Sequence, residues 1–402
     1  MASKLQDLIN RLCPNGVEYR RLGDLGSFFS GLSGKTKADF KDGNAKFISY
    51  MNVYLNPALR TDVDDRVKIA EGEKQNLLKY GDVLFTGSSE TPDECGMSSV
   101  LTEKTEEPLY LNSFCFGFRL NEPIYNPNFL KHLLRSTLIR KQICQTASGV
   151  TRFNVSKKRM EGVLLPVPPL EVQSEIVQIL DNFAELTAEL TAELEKRKKQ
   201  YEHYRRALLC GVESSELRVE SSAWPMVKLG DVCEIGTGSS NTDEQLDEGL
   251  YPFFVRSQEV RWKNEYEFDE ASVITSGDGV GVGKIYHYVE GKYALHQRAY
   301  RIHPTDTRLT ARFLFYYMKT GFLAYINKSA FQSSVTSIRK PMLLNFPIPL
   351  PPLAEQRRIV SILDRFDRLC NDLTSGLPAE IAARKKQYAY YRDKLLELRV
   401  GS

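Results

Sequence analysis

Apolar residues fall at alternating steps of four and three through one long stretch of the chain. Ile176, Leu180, Phe183, Thr187, Leu190, Leu194, Arg197, Tyr201, Tyr204 and Leu208 keep this spacing. A seam of that period runs along one side of an α-helix and buries against a second helix, the pattern of a coiled coil. A second stretch repeats it with Ile359, Leu363, Phe366, Cys370, Leu373 and Leu377, then Ile381, Arg384, Tyr388, Tyr391 and Leu395. The extra step of four from Leu377 to Ile381 is a stutter. It coincides with Gly376-Leu377-Pro378, where a break is expected because proline removes a helical donor. Arginine and tyrosine on a seam fit long stems that cover apolar surface. Leu190, Leu194, Tyr201, Leu373 and Tyr388 are the candidate spacer-helix residues. Each stretch could instead be an amphipathic helix lying on its own domain, but two matching seams have an obvious partner in each other.

Residues 17–165 and 224–346 read differently. Short β-type runs such as 46–50 (KFISY) and 82–86 (DVLFT) alternate with Gly, Asn and Asp turn signals. The last stretches turn helical, at 129–144 and 312–327. An internal repeat orders the whole. PVPPLEVQSEIVQILDNF at 166–183 matches PLPPLAEQRRIVSILDRF at 349–366, and RKKQYEHYR at 197–205 matches RKKQYAYYR at 384–392. A weaker echo, RRLGDLGS at 20–27 and VKLGDVCE at 227–234, opens each half. The expected fold class is α/β (α+β): two mixed α/β domains separated by two long helices that form an antiparallel coiled coil, with an internal twofold repeat. The expected boundaries are 1–165 and 213–346 for the domains, with 166–212 and 347–402 for the central and C-terminal helical regions.

Composition removes several classes of function. Hydrophobic residues make 42% and charged residues 26% of 402, the balance of an ordinary globular protein. Mean hydropathy is −0.35, and no apolar run approaches the roughly 20 residues of a membrane span. The opening MASKLQD has no apolar core of a secretory signal. Seven cysteines (13, 95, 115, 144, 210, 233 and 370) are scattered without any C-x-x-C, against a disulfide framework or zinc site and in keeping with a reducing cytoplasm.

Enzyme motifs fail one by one. The run Gly277–Lys284 would need Gly at Asp278 and Ser or Thr at Ile285 to be a phosphate loop, so a turn between strands is expected there. Asn126-Pro127-Asn128 is not an adenine-methyltransferase loop, and Pro92-Asp93 is followed by no nuclease signature. The five histidines (132, 203, 287, 296 and 303) show no metal spacing. No nucleophile elbow is present. The expectation is a chain without catalytic residues, metal or cofactor of its own.

Net charge is only +3, but its distribution is uneven. Residues 128–160 hold eight Lys or Arg and no acid; residues 308–340 hold six and again none. Aromatics, including Phe153 and Phe331, interleave both stretches. A positive surface of this kind usually neutralises phosphate, although a solvated basic face would read the same. Lys157, Lys158, Arg159, Arg339 and Lys340 are the candidate phosphate contacts, which position without specifying. Turn-rich stretches supply candidates for base contact: Lys35, Tyr50, Asn52, Ser88, Asn112 and Arg152 in the first domain, and Arg256, Gln258, Lys284, His296, Gln297 and Arg298 in the second.

On the joint sequence P-x-P-P-L…Q…I-V-x-I-L-D-x-F and the R-K-K-Q-Y-x-x-Y-R ends, the chain resembles the specificity (S) subunits of type I restriction–modification enzymes. The tandem Thr-Ala-Glu-Leu at 187–190 and 191–194 is similar to the spacer tetrapeptide of some members. The resemblance implies two target recognition domains, each reading half of a bipartite double-stranded DNA site, with the helices setting the gap. It also implies docking of two modification (M) subunits, which bind S-adenosylmethionine and methylate adenine, and recruitment of restriction (R) subunits, in the cytoplasm and away from membranes. Val172 stands where the second copy has Glu355, and the second helix lacks the tetrapeptide. Two other readings stay open on the residues alone: a two-domain scaffold binding proteins or glycans, and an enzyme with an unrecognised site.

Overall fold

The computed structural model describes residues 2–210, 224–279, 281–329 and 337–399; Phe331 and Val280 lie outside the described residues. The chain divides into two compact units. One is built on the chain up to Leu190 together with the stretch from Ile381 onward, the other on Thr191 to Glu380.

In the first unit Val83–Thr86 is buried at every position, as a strand covered on both faces must be. It is central in a four-stranded antiparallel sheet, ordered Gly26–Ser30, Cys115–Leu120, Val83–Thr86, Ser98–Val100. A three-stranded sheet sets Ala45–Ile48 antiparallel to Arg66–Val67 and parallel to Leu109–Leu111. A small third sheet joins Ala147–Ser148, Phe153–Val155 and Ser88–Ser89. Tyr19–Arg21 pairs with Leu164–Pro166, so the chain enters and leaves this domain side by side. Phe85, Phe118, Phe129, Ile143 and Met160 form a core with Val172, Ile176 and Leu180 of the following helix and with Leu396 and Leu398. The helical stretch expected at 129–144 is two helices, Pro127–Leu133 and Thr137–Gln145. The Ser136 hydroxyl donates to the Leu133 carbonyl at the break (2.7 Å).

In the second unit a six-stranded sheet runs Cys233–Thr237, Ala299–Pro304, Phe268–Ser276, Tyr286–Leu295, Tyr251–Phe254, Arg261–Lys263. The glycine-rich run connects two antiparallel strands of this sheet, and Gly279 and Gly283 take positive φ (86° and 68°), as a turn requires. Helix Ala311–Ser329 packs on Phe268–Ser276 and Tyr286–Leu295. Met226–Lys228 pairs with Pro347–Pro349, again placing entry beside exit.

The first seam lies on one helix of 41 residues, Leu170–Cys210, and each of its ten seam positions is buried or half-buried. The second is divided between Leu353–Asn371 and Leu377–Leu396. The break falls just before the expected proline. There the Asp372 carboxylate accepts the Thr374 amide (2.7 Å) and hydroxyl (2.6 Å) and the Ser375 hydroxyl (2.5 Å). Leu373, expected on the seam, therefore belongs to this turn and is 79% exposed. Tyr388, also expected there, gives its hydroxyl to His132 (2.8 Å).

The glutamine of the repeated joint is fully buried in both copies, and its amide is fully used. Gln173 Nε2 donates to the carbonyls of Pro168 (2.8 Å) and Ile124 (2.9 Å), while Oε1 accepts the Asn126 amide (2.8 Å). Gln356 Nε2 donates to Pro351 (2.9 Å) and Arg308 (2.6 Å), while Oε1 accepts the Thr310 amide (2.9 Å). Eight residues on, a carboxylate fastens each helix a second time. Asp181 Oδ1 meets Lys131 Nζ and His132 Nε2, both at 2.8 Å. Asp364 Oδ1 meets Arg312 Nη2 (2.8 Å) and the Tyr316 hydroxyl (2.6 Å).

Removing either glutamine side chain strands buried main-chain groups, each costing about 1–3 kcal/mol. We expect Gln173→Ala and Gln356→Ala each to lower the unfolding free energy by at least about that amount in chemical denaturation. Gln173→Glu should cost no less, because it sets an oxygen against two carbonyl oxygens.

Candidate nucleic-acid interface

In the first unit a three-residue link, Asn112 to Phe114, joins Leu109–Leu111 to Cys115–Leu120. Asn112 gives the link its shape. Its Oδ1 accepts the Phe114 amide (2.8 Å), its Nδ2 donates to the Ile48 carbonyl (2.9 Å), and its own amide donates to the same carbonyl (3.0 Å). The Gly87 amide donates to the Phe114 carbonyl (2.9 Å), so close an approach that a Cβ on Gly87 would lie 2.7 Å from that oxygen. Phe114 is left 66% exposed. Beside Gly87, Ser88 collects two further candidates: the Tyr50 hydroxyl donates to its carbonyl (2.8 Å) and Arg152 Nε to its hydroxyl (3.0 Å).

The second unit builds the same link from different residues, His296 to Arg298, between Tyr286–Leu295 and Ala299–Pro304. His296 Nδ1 accepts the Arg298 amide (3.0 Å), the His296 amide donates to Phe254 (3.0 Å), and the Gly277 amide donates to Arg298 (2.9 Å). Because Nδ1 accepts, the ring proton is on Nε2, which faces the Thr242 hydroxyl (3.1 Å). Burial, together with Arg256 and Arg298, pushes the His296 pKa down. The two arginines converge on Asp278, Arg256 Nη1 at 2.7 Å and Arg298 Nη1 at 3.3 Å. Arg256 first, then Arg298, holds the Asp278 carboxyl below the usual carboxylate range.

Not every candidate reaches these places with a free side chain. Lys35 donates to Glu73 (2.5 Å) and the Lys68 carbonyl (2.6 Å), which helps hold Glu73 down to about 2. Asn52 is buried and bonded to both main-chain groups of Arg60. The side chains of Asn112 and His296 are buried supports, since each shapes the link that carries its neighbour. Gln297 donates to Asn241, while Gln258 and Lys284 are exposed.

Lys157, Lys158 and Arg159 are exposed on the short helix Lys157–Met160, capped by the Ser156 hydroxyl, with Arg159 also donating to the Gln145 carbonyl. Arg339 and Lys340 are exposed at the start of Lys340–Leu344. The acid-free stretches are not wholly surface charge. Arg135 donates to the carbonyls of Ser98, Val53 and Tyr54, and Arg140 to those of Gly96, Asp93 and Cys95. Burial pushes both pKa values down, Arg135 to about 10. Phe114 and Asp278 were not among the sequence candidates. An exposed phenylalanine has no signature in a single chain, and Asp278 is hidden inside a glycine-rich run.

Among the described residues no three metal-type side chains cluster, and no helix is long and apolar enough to cross a membrane. A family model described as "Type I restriction modification DNA specificity domain" matches residues 14–197 and again 221–383. The chain belongs to this family. A type I restriction enzyme specificity subunit of Escherichia coli is 37% identical over 251 residues, 57% of this chain and 60% of that one. A specificity subunit of Haemophilus influenzae is 30% identical over 292 residues, 67% of this chain and 72% of that one. The chain thus matches well under two thirds of the E. coli relative and somewhat more of the other. Solved structures share the fold over most of the chain. The S subunit of M. genitalium superposes with a TM-score of 0.58 at 15% identity, over 94% of this chain and 96% of that one. A chain from a type I R-M assembly gives 0.63 at 22%, over 95% and 98%.

His132, His287 and His296 all have pKa values pushed down, chiefly by burial. As pH falls through about 6.5 the unfolded chain takes up protons at these groups before the folded one does. Their contribution to stability is therefore complete above that pH and is lost below it, by up to about 1.4 kcal/mol per pH unit for each group. His296→Asn installs the acceptor used in the first unit. In thermal melts it should lose less Tm than the parent between about pH 7.5 and pH 5.5.

Proposed function

We propose that this chain is the DNA-sequence-recognition subunit of a type I restriction–modification complex, each globular domain reading one half of a bipartite target. The observation that carries this reading is the recurrence of one link in both units. Each is fastened by the same main-chain bonds and flanked by an exposed arginine, Arg152 or Arg256, yet each presents a different residue, Phe114 or Arg298. Two similar sites with unlike reading residues suit two unlike half-sites. A scaffold for proteins or glycans gives no reason for the paired arginines or the exposed basic helix starts.

In this reading Lys157, Lys158 and Arg159, with Arg339 and Lys340, neutralise phosphates, and the links carry the base contacts. The chain performs no chemistry. Two M subunits dock on it, bring S-adenosylmethionine and methylate adenine, and R subunits join them, in the cytoplasm. An antiparallel coiled coil and a twofold repeat complete the picture. Phe183 stacked on Tyr391 (5.2 Å between rings) and Tyr201 on Phe366 (6.1 Å) support the first. The matched bonds of Gln173 and Gln356 support the second.

Charge reversal of Lys157, Lys158 and Arg159 tests the reading directly. We expect binding to weaken almost uniformly across sequences, and the log–log salt slope to shrink by about 0.9 for each lost phosphate contact. A change confined to one base pair, with the slope unaltered, would make these residues readers instead of anchors.

The tetrapeptide gives a second test. Four helical residues span about 6 Å and turn about 40° beyond a full turn, and one base pair of B-DNA turns by a similar angle. Deleting Thr191–Leu194 should leave both half-sites unchanged and shorten the gap between them by about one base pair. A third copy should lengthen it equally. Sequencing of methylated motifs reads both outcomes.

A further inference from the structure

We propose that Arg298 reads a guanine in the major groove, held in place by Asp278 and Arg256, so that the half-site of the second unit contains a G at the position this link reaches. The proposal rests on the DNA-reading role above and adds the base and the residue.

Three observations lead to it. The first is the way the trio is wired. Arg256 lies at 2.7 Å from Asp278 Oδ1 and Arg298 at the longer 3.3 Å from Oδ2. Arg256 thus neutralises the carboxylate, and Arg298 is oriented by it through one Nη alone. Its Nε and second Nη remain as a two-donor fork. The second is exposure. The Arg298 side chain is 62% exposed, against 39% for Arg256 and 28% for Asp278, so the reader is outermost and its supports lie behind it. The third is rigidity of the main chain beneath. The Arg298 amide donates to His296 Nδ1 and its carbonyl accepts the Gly277 amide, which fixes the direction in which the side chain leaves the link.

The chemistry then selects the base. Guanine offers two acceptors, N7 and O6, at the spacing of a guanidinium fork. Adenine offers one acceptor and an amino donor, which would face a second donor. Thymine and cytosine offer no acceptor pair of this geometry. A bare arginine would also serve as a phosphate anchor, but a carboxylate beside it works against that use. Asp278 offsets one of the two positive charges a phosphate would meet, and it orients the fork. In the first unit the same position of the link is held by Phe114, which has no donor; the arginine there, Arg152, comes from a different loop and gives its Nε to the Ser88 hydroxyl (3.0 Å). The two half-sites should therefore differ at this position. Asp278 and Arg256 act through Arg298 and are positioning residues.

The test uses the full chain assembled with its modification subunits. Competition binding is measured against duplexes carrying every base pair at each half-site position, and methylated motifs are sequenced. The parent complex should prefer one G over other bases by roughly 10- to 100-fold. 7-Deazaguanine at that position, which lacks N7, should remove much of the preference without any change to the protein. Arg298→Ala should lose discrimination at that position alone, and 7-deazaguanine should then have no further effect. Asp278→Asn should weaken discrimination there while leaving the salt slope in place. A second-unit half-site without G, or a parent complex indifferent to 7-deazaguanine, overturns the proposal. So does an Arg298→Ala variant that weakens all sequences alike and lowers the salt slope by about 0.9, the mark of a phosphate anchor. A parent complex with no salt-dependent DNA binding would instead overturn the DNA-reading role itself, which separates the two failures.

Discussion

A buried primary amide with every donor and acceptor used is what ties the helices of this protein to its domains. Gln173 and Gln356 lie at the first turn of their helices with no exposure, where an unpaired amide would be costly. Each solves this by bonding one proline carbonyl behind it and the main chain just ahead of a domain helix in front of it. The direction in which the helix leaves is thereby fixed by five or six atoms. The carboxylates of Asp181 and Asp364, further along, add a second point of attachment, and two points define a line.

This explains which parts could be read from the sequence. The joint was legible because the clamp needs Pro-Pro and Gln at fixed spacing, and the fixed spacing occurs twice. The seam of Leu170–Cys210 was legible because its period is a property of the helix itself. Leu373 was misplaced because a local competitor, the Asp372 carboxylate with Thr374 and Ser375 in reach, ends the helix before the seam does. Arg135 and Arg140 looked like surface charge because composition cannot tell a guanidinium facing water from one facing carbonyl groups. Asn52 and Lys35 were polar residues near turns, and the turns themselves consumed them.

The candidate interface shows a similar division. Sequence reasoning brought Tyr50, Ser88, Asn112 and Arg152 into one group, and Arg256, His296 and Arg298 into another, without any means of knowing that each group is a neighbourhood. Their meeting depends on strand pairing between segments 40 to 100 residues apart, such as Phe153–Val155 with Ser88–Ser89. Within the groups, support and display fall to different residues. Buried Asn112 and His296 hold the main chain, and exposed Phe114 and Arg298 face outward.

That division has an evolutionary consequence. An amide oxygen and an imidazole nitrogen hold the same link, so the scaffold requires only an acceptor at the first position. The residue two places later contributes only main-chain groups to the link and can be exchanged without disturbing it. A new preference can then arise by point substitution at a site whose stability is already guaranteed from below. Such a surface diversifies cheaply, in the way a lock is recut while its housing is kept.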